Sequence, residues 1–71
     1  MDVINCFECS YKCKDGKRVR YILTTPMNYG EVERMMDAYD DYAVYTISTK
    51  RAEYLRSKGV ILRDKFRSEY F

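Results

Sequence analysis

The densest chemistry in the chain is Cys6-Phe7-Glu8-Cys9-Ser10-Tyr11-Lys12-Cys13, where all three thiols of the sequence lie together. Thiolates are strong ligands for zinc and iron–sulfur clusters, and a structural metal would suit so short a chain. The spacing argues against one. A four-thiolate site needs a second pair elsewhere, and the sequence has none, so a fourth ligand would have to come from Asp15 or a partner. If the segment is a strand, Cys6 points to the face opposite Cys9 and Cys13, and those two stand about 13 Å apart at roughly 3.3 Å per residue. The expectation is three thiols on a strand, two of them (Cys9 and Cys13) buried as small hydrophobes, with no metal and no cofactor.

A second constellation is acidic: Glu31, Glu33, Asp37, Asp40 and Asp41. Paired carboxylates can hold Mg²⁺ or move protons, but no Lys or further acid stands at a spacing that would complete a nuclease-like site. The chain has no His, which removes the commonest general base, the commonest metal ligand and every Ser-His-Asp or Cys-His arrangement. The expectation is a protein that is not an enzyme. Acids near a helix N-terminus, as Glu31 and Glu33 would be, are favoured by the macrodipole. Asp37, Asp40 and Asp41 crowd the other end, where they need a compensating cation; the basic second helix is the internal candidate. Flanked by tyrosines, this segment can instead dock on a basic groove, imitating phosphate spacing while Tyr rings serve as anchors. The candidate partner-binding residues are therefore Tyr29, Glu33, Asp37, Tyr39, Asp40, Asp41 and Tyr42.

The cations fall elsewhere. Residues 26–48 carry one basic and five acidic groups, and residues 49–71 carry seven basic and three acidic, so the net +2 conceals a bipolar chain. Lys and Arg neutralise phosphates and aromatic rings stack bases, which gives an alternative nucleic-acid-binding set: Arg18, Arg20, Lys50, Arg51, Arg56, Lys58, Arg63, Lys65 and Arg67. Two observations weigh against it. Tyr11 and Tyr21 point inward in the strand reading below, away from Arg18 and Arg20, and +2 is modest for a dedicated nucleic-acid binder.

These residues must be positioned by a small set of elements. From Val3 to Cys13 the odd positions Phe7, Cys9 and Tyr11 make one face of a strand, and Lys17 to Thr25 alternates in the same way with Val19, Tyr21 and Leu23. A two-residue loop at Asp15-Gly16 would set Val19 opposite Lys12 and scramble the faces. A three-residue loop with Gly16 left-handed in a bulge pairs Tyr11 with Val19, Cys9 with Tyr21 and Phe7 with Leu23, leaving Glu8, Ser10, Lys12, Arg18 and Arg20 outside. Asn28 with Glu31 reads as a capping box, and Met27 as a staple onto Val32, for a helix whose apolar stripe is Val32, Met35, Met36 and Tyr39. Residues 42–47 are β-branched and aromatic with little alternation, as expected of a central strand or one completed by another subunit. Ser48 or Thr49 caps a second helix through Lys58, and Gly59 suits a Schellman ending with Leu55 against Val60. Residues 60–62 follow as a short strand, and residues 63–71 are read as helix.

The fold class expected is α+β: one domain, residues 1–71, with a small single-layer sheet in the order β-β-α-β-α-β, an N-terminal hairpin and helices packed on the sheet. A 71-residue chain buries only about 60% of its unfolded surface, so the core is thin and homodimerisation stays open. No apolar run reaches membrane-span length and the first residues lack signal-peptide character, which with three unpaired thiols leads to the expectation of a cytoplasmic protein without a membrane partner. Eight Tyr and three Phe exceed what so small a core readily buries, and Tyr tolerates exposure before binding. The leading expectation is a non-enzymatic protein-binding module that modulates or inhibits a larger, nucleic-acid-handling host protein through an acidic, Tyr-rich helix over residues 28–42. Phages and mobile elements often use accessory proteins of this size in that way.

Overall fold

The computed structural model describes residues 4–64. Its elements are β1 (Asn5–Lys12), β2 (Arg18–Thr25), α1 (Tyr29–Met36), β3 (Asp40–Ile47), α2 (Thr49–Ser57) and β4 (Ile61–Asp64). The strands form one mixed sheet in the order β3-β1-β2-β4, with β1 antiparallel to both neighbours and β2 parallel to β4. This is the α+β fold and element order that the sequence predicts.

Local chemistry behaves as read. The hairpin pairs Tyr11 with Val19, Cys9 with Tyr21 and Phe7 with Leu23. Its loop is closed by Cys13 N–H donating to Lys17 O (2.7 Å) and Gly16 N–H donating to Cys13 O (2.9 Å), with Gly16 at φ +88°, a value that L side chains rarely adopt. Asn28 accepts the Glu31 N–H at 2.9 Å while Glu31 accepts the Asn28 N–H at 3.2 Å, and Met27 and Val32 are both buried in the same cluster. Ser48 caps α2. At its other end Val60 N–H donates to Leu55 O and Gly59 N–H to Arg56 O, the two bonds of a Schellman motif, with Gly59 at φ +91°.

The packing adds to or departs from the expectation in four respects. First, the helices lie on opposite faces of the sheet. Val32 and Met36 of α1 pack with Phe7, Cys9, Tyr21, Leu23 and Val44, whereas Ala52 and Leu55 of α2 pack with Ile22 and the half-buried Cys6, Ile47, Val60 and Leu62. The face that carries Glu8, Ser10, Lys12, Arg18 and Arg20, the residues expected outside, is therefore covered by α2 at the Cys6–Ile22 end and open toward the hairpin.

Second, among the described residues β3 is an edge strand, not a central one, with β1 as its one neighbour. Third, α1 stops at Met36 with Asp37 as its C-cap, so Tyr39 leaves the helical stripe and stacks on Tyr11 at 4.2 Å. Asp40, Asp41 and Tyr42 belong to β3 and not to a helix. Fourth, residues 63–64 continue β4 instead of starting a helix; residues 65–71, with Lys65 and Arg67, lie outside the described residues. Cys13, expected buried, sits half-exposed where the hairpin turns, and Cys6 and Cys9 point to opposite faces as the alternation requires.

Candidate interaction surface

The N-terminal end of β3 is shaped by a bulge. Ser10 pairs with Ala43 but Lys12 pairs with Asp40, so Tyr11 alone faces both Asp41 and Tyr42. Asp41 takes φ +49°, a left-handed conformation that Asp tolerates better than most L residues. Arg18 holds it there. Its guanidinium donates to the Asp41 carbonyl (3.1 Å), to the Asp41 carboxylate and to Ser10 Oγ (3.1 Å). The cation that compensates Asp41 is thus on β2. The internal candidate, α2, makes no ion pair with Asp37, Asp40 or Asp41 among the described residues.

Beyond the bulge the β1–β3 register runs unbroken from Ala43 to Ile47. Backbone direction along this edge follows from the hairpin. Cys13 bonds Lys17, and peptide groups alternate sides along a strand, so the odd residues of β1 turn theirs toward β2 and the even residues toward β3. Cys6, Glu8 and Ser10 are paired with Ile47, Tyr45 and Ala43. The peptide groups of Val44 and Thr46 consequently face away from the sheet.

Beside that edge four of the expected residues converge. Tyr29 is 43% exposed and donates to the Glu33 carboxylate at 3.3 Å. The Glu33 charge, followed by desolvation, raises the Tyr29 pKa above the ordinary phenol value, with Tyr42 and Tyr45 contributing. The Tyr42 pKa is raised as well, first by desolvation and then by Glu33 and Asp37. Tyr42 packs against the α1-side core, so Tyr29, Glu33, Asp37 and Tyr42 share the α1 side of the edge, whereas Tyr45 pairs with Glu8 and projects from the other face of the same strand. Among the described residues no cation forms an ion pair with Glu33 or Asp37. The remaining three residues of the expected set do other work: Tyr39 is stacked on Tyr11, Asp40 opposes Lys12 at the start of β3, and Asp41 is engaged by Arg18.

Sequence reasoning missed Tyr45, the most exposed tyrosine among the described residues at 61%. The signal was the run Val44-Tyr45-Thr46: one buried aliphatic followed by two hydroxyl-bearing residues that tolerate water suits an edge better than a covered strand.

The basic set is dispersed. Glu8, only 16% exposed in its side chain, accepts from Arg20 (Nε at 2.8 Å) and lies 4.0 Å from Arg51. Arg51 and Lys58 flank the exposed Tyr54 ring at 5.4 and 5.5 Å, and Arg63 covers the Tyr21 ring at 4.5 Å. Lys50 and Arg56 stand exposed on α2. Burial, opposed in part by a hydrogen bond with Tyr21, pushes the Cys9 thiol up to about 11, so it stays protonated and inert as a nucleophile. Among the described residues no group of three His, Cys, Asp or Glu side chains is placed to hold a metal ion.

Fold and surface together define a small mixed-sheet α+β domain with an open, acidic, tyrosine-lined edge. Comparison with protein-family models, with curated proteins and with solved structures finds no match to this chain.

Proposed function

We propose that the chain is a non-enzymatic protein-binding module that modulates or inhibits a larger, nucleic-acid-handling protein, as accessory proteins of phages and mobile elements do. The observation that carries this reading is the convergence of Glu33 and Asp37, without a cationic partner among the described residues, with the exposed or half-exposed rings of Tyr29 and Tyr42 on the α1 side of the edge. Tyr rings lose little entropy on binding and anchor interfaces, while unpaired carboxylates attract a basic surface and exclude acidic ones. Reversing both charges, Glu33→Lys with Asp37→Lys, is expected to reduce capture of a protein partner from host lysate at least tenfold. The unfolding midpoint should stay within a few degrees, since both side chains lie at the surface. Capture at the wild-type level by the folded variant overturns the reading.

The nucleic-acid alternative loses its hairpin half, because Arg18 and Arg20 are neutralised by Asp41 and Glu8. What supports it is α2, where Arg51 and Lys58 flank Tyr54 and Lys50 stands exposed on the same helix. Nuclease treatment of the same lysate separates the two readings: a partner that persists supports the protein interface, and one that vanishes supports α2.

A further inference from the structure

We infer that the partner enters as an extended, basic segment that adds a fifth strand to the open edge of β3. The inference rests on the protein-binding reading and names the chemistry of the occupant. Strand addition draws affinity from main-chain hydrogen bonds and specificity from alternate side chains. The peptide groups of Val44 and Thr46 supply the first, because the β1 register leaves them facing outward. The second comes from α1, which packs against β3 through Val44 and Tyr42 and carries Tyr29, Glu33 and its C-cap Asp37 beside that edge.

Edge strands are ordinarily guarded by Pro, Lys, bulges or shortness. Among the described residues β4 is the shorter edge, at four residues. The β3 edge has eight residues with neither Pro nor Lys, and its one bulge is confined to Asp41, leaving Ala43 to Ile47 regular.

Charge selects the occupant. A second copy pairing antiparallel about a two-fold axis would bring α1 beside α1 on the same face, with Glu33 and Asp37 near their own counterparts. A parallel two-fold arrangement would set Asp40 alongside Asp40. Both are repulsive, whereas a strand with Lys or Arg at alternate positions pairs with the uncompensated carboxylates.

The test uses the full chain, a capped decapeptide of alternating Lys and Thr, and its Glu–Thr counterpart. The Lys–Thr peptide is expected to slow amide exchange at Val44 and Thr46 at least tenfold and to bind at least tenfold more tightly than the Glu–Thr peptide. Thr46→Pro removes an outward N–H that the sheet does not use, at an exposed position; it should keep the fold by circular dichroism and weaken the Lys–Thr peptide at least tenfold. No exchange protection by the Lys–Thr peptide, or equal affinity for Thr46→Pro, overturns strand addition. Protection of Val44 and Thr46 without peptide, together with a doubled mass in analytical ultracentrifugation, also overturns it in favour of a second copy. Lysate capture that survives Thr46→Pro but fails with Glu33→Lys/Asp37→Lys overturns strand addition and leaves the protein-binding reading standing.

Discussion

The two faces of one sheet are built from alternate residues of the same strands, yet they hold the molecule together differently. On the α1 side eight residues, Phe7, Cys9, Tyr21, Leu23, Met27, Val32, Met36 and Val44, form a continuous core. On the α2 side the core is Ile22, Ala52 and Leu55, and toward the hairpin it gives way to Glu8 with Arg20 and Arg51, and Arg18 with Asp41. Apolar burial contributes about 25 cal/mol per Å², whereas exposed ion pairs contribute about 0–1 kcal/mol each. Stability is therefore concentrated on the α1 side. The α1 helix itself carries the acids of the proposed interface on its outer surface, so the best-anchored element is also the one offered to a partner. A rigid support keeps Tyr29, Glu33 and Asp37 in place before binding, which lowers the ordering cost of association.

The largest expected effect separates the two cores. Leu23→Ala empties a fully buried position in the larger cluster and should cost about 4 kcal/mol, against about 2 kcal/mol for Leu55→Ala in the smaller one, by urea unfolding. Equal losses would mean that the α2 side carries as much of the stability as the α1 side. A small domain has only several kcal/mol to lose, so Leu23→Ala should leave an appreciable unfolded fraction at 37 °C.

A pH effect follows from Cys9 in the α1-side core. Its thiol is raised from 9.0 to about 11 in the fold, so the folded chain holds this proton more tightly than the unfolded chain. The associated stability is fully present below pH 9 and is lost as pH rises through about 11, by about 2–3 kcal/mol at about 1.4 kcal/mol per pH unit. Tyr29 and Tyr42, also raised, add a loss of the same sign at higher pH. Urea unfolding at pH 8 and pH 10.5 should show a smaller decline for Cys9→Ala than for the wild type, and parallel declines would sink the assignment to Cys9.

The smallest effect compares the helix starts. Asn28→Ala breaks a reciprocal capping box and Ser48→Ala a single cap, so the first should cost about 1–1.5 kcal/mol and the second about 0.5–1. The order of the two unfolding midpoints checks it.

Much of the local structure was legible. The hairpin register could be read because only a three-residue loop unites Phe7, Cys9 and Tyr11 with Leu23, Tyr21 and Val19 on one face. The caps at Asn28, Ser48 and Gly59 could be read because each depends on residues within one helical turn. The side chains on the α1 side of the interaction surface were also legible, since Tyr29, Glu33, Asp37 and Tyr42 stand out by type. Tyr45 was hidden by reading residues 42–47 as a covered strand. The bond from Arg18 to Asp41 was hidden because it joins strands 23 residues apart through a bulge that no local pattern announces.

The sequence by itself determined the elements, their caps, the hairpin register and the separation of acidic from basic segments, because those depend on alternation and on neighbours within a few positions. Only the tertiary structure decided that β3 takes an edge, that α1 and α2 cover opposite faces, and that Arg18 and not α2 answers Asp41. Such choices depend on which of several similar apolar faces meet across the chain. An apolar strand such as Ala43-Val44-Tyr45 fits an edge or a centre equally well until its neighbours are in place.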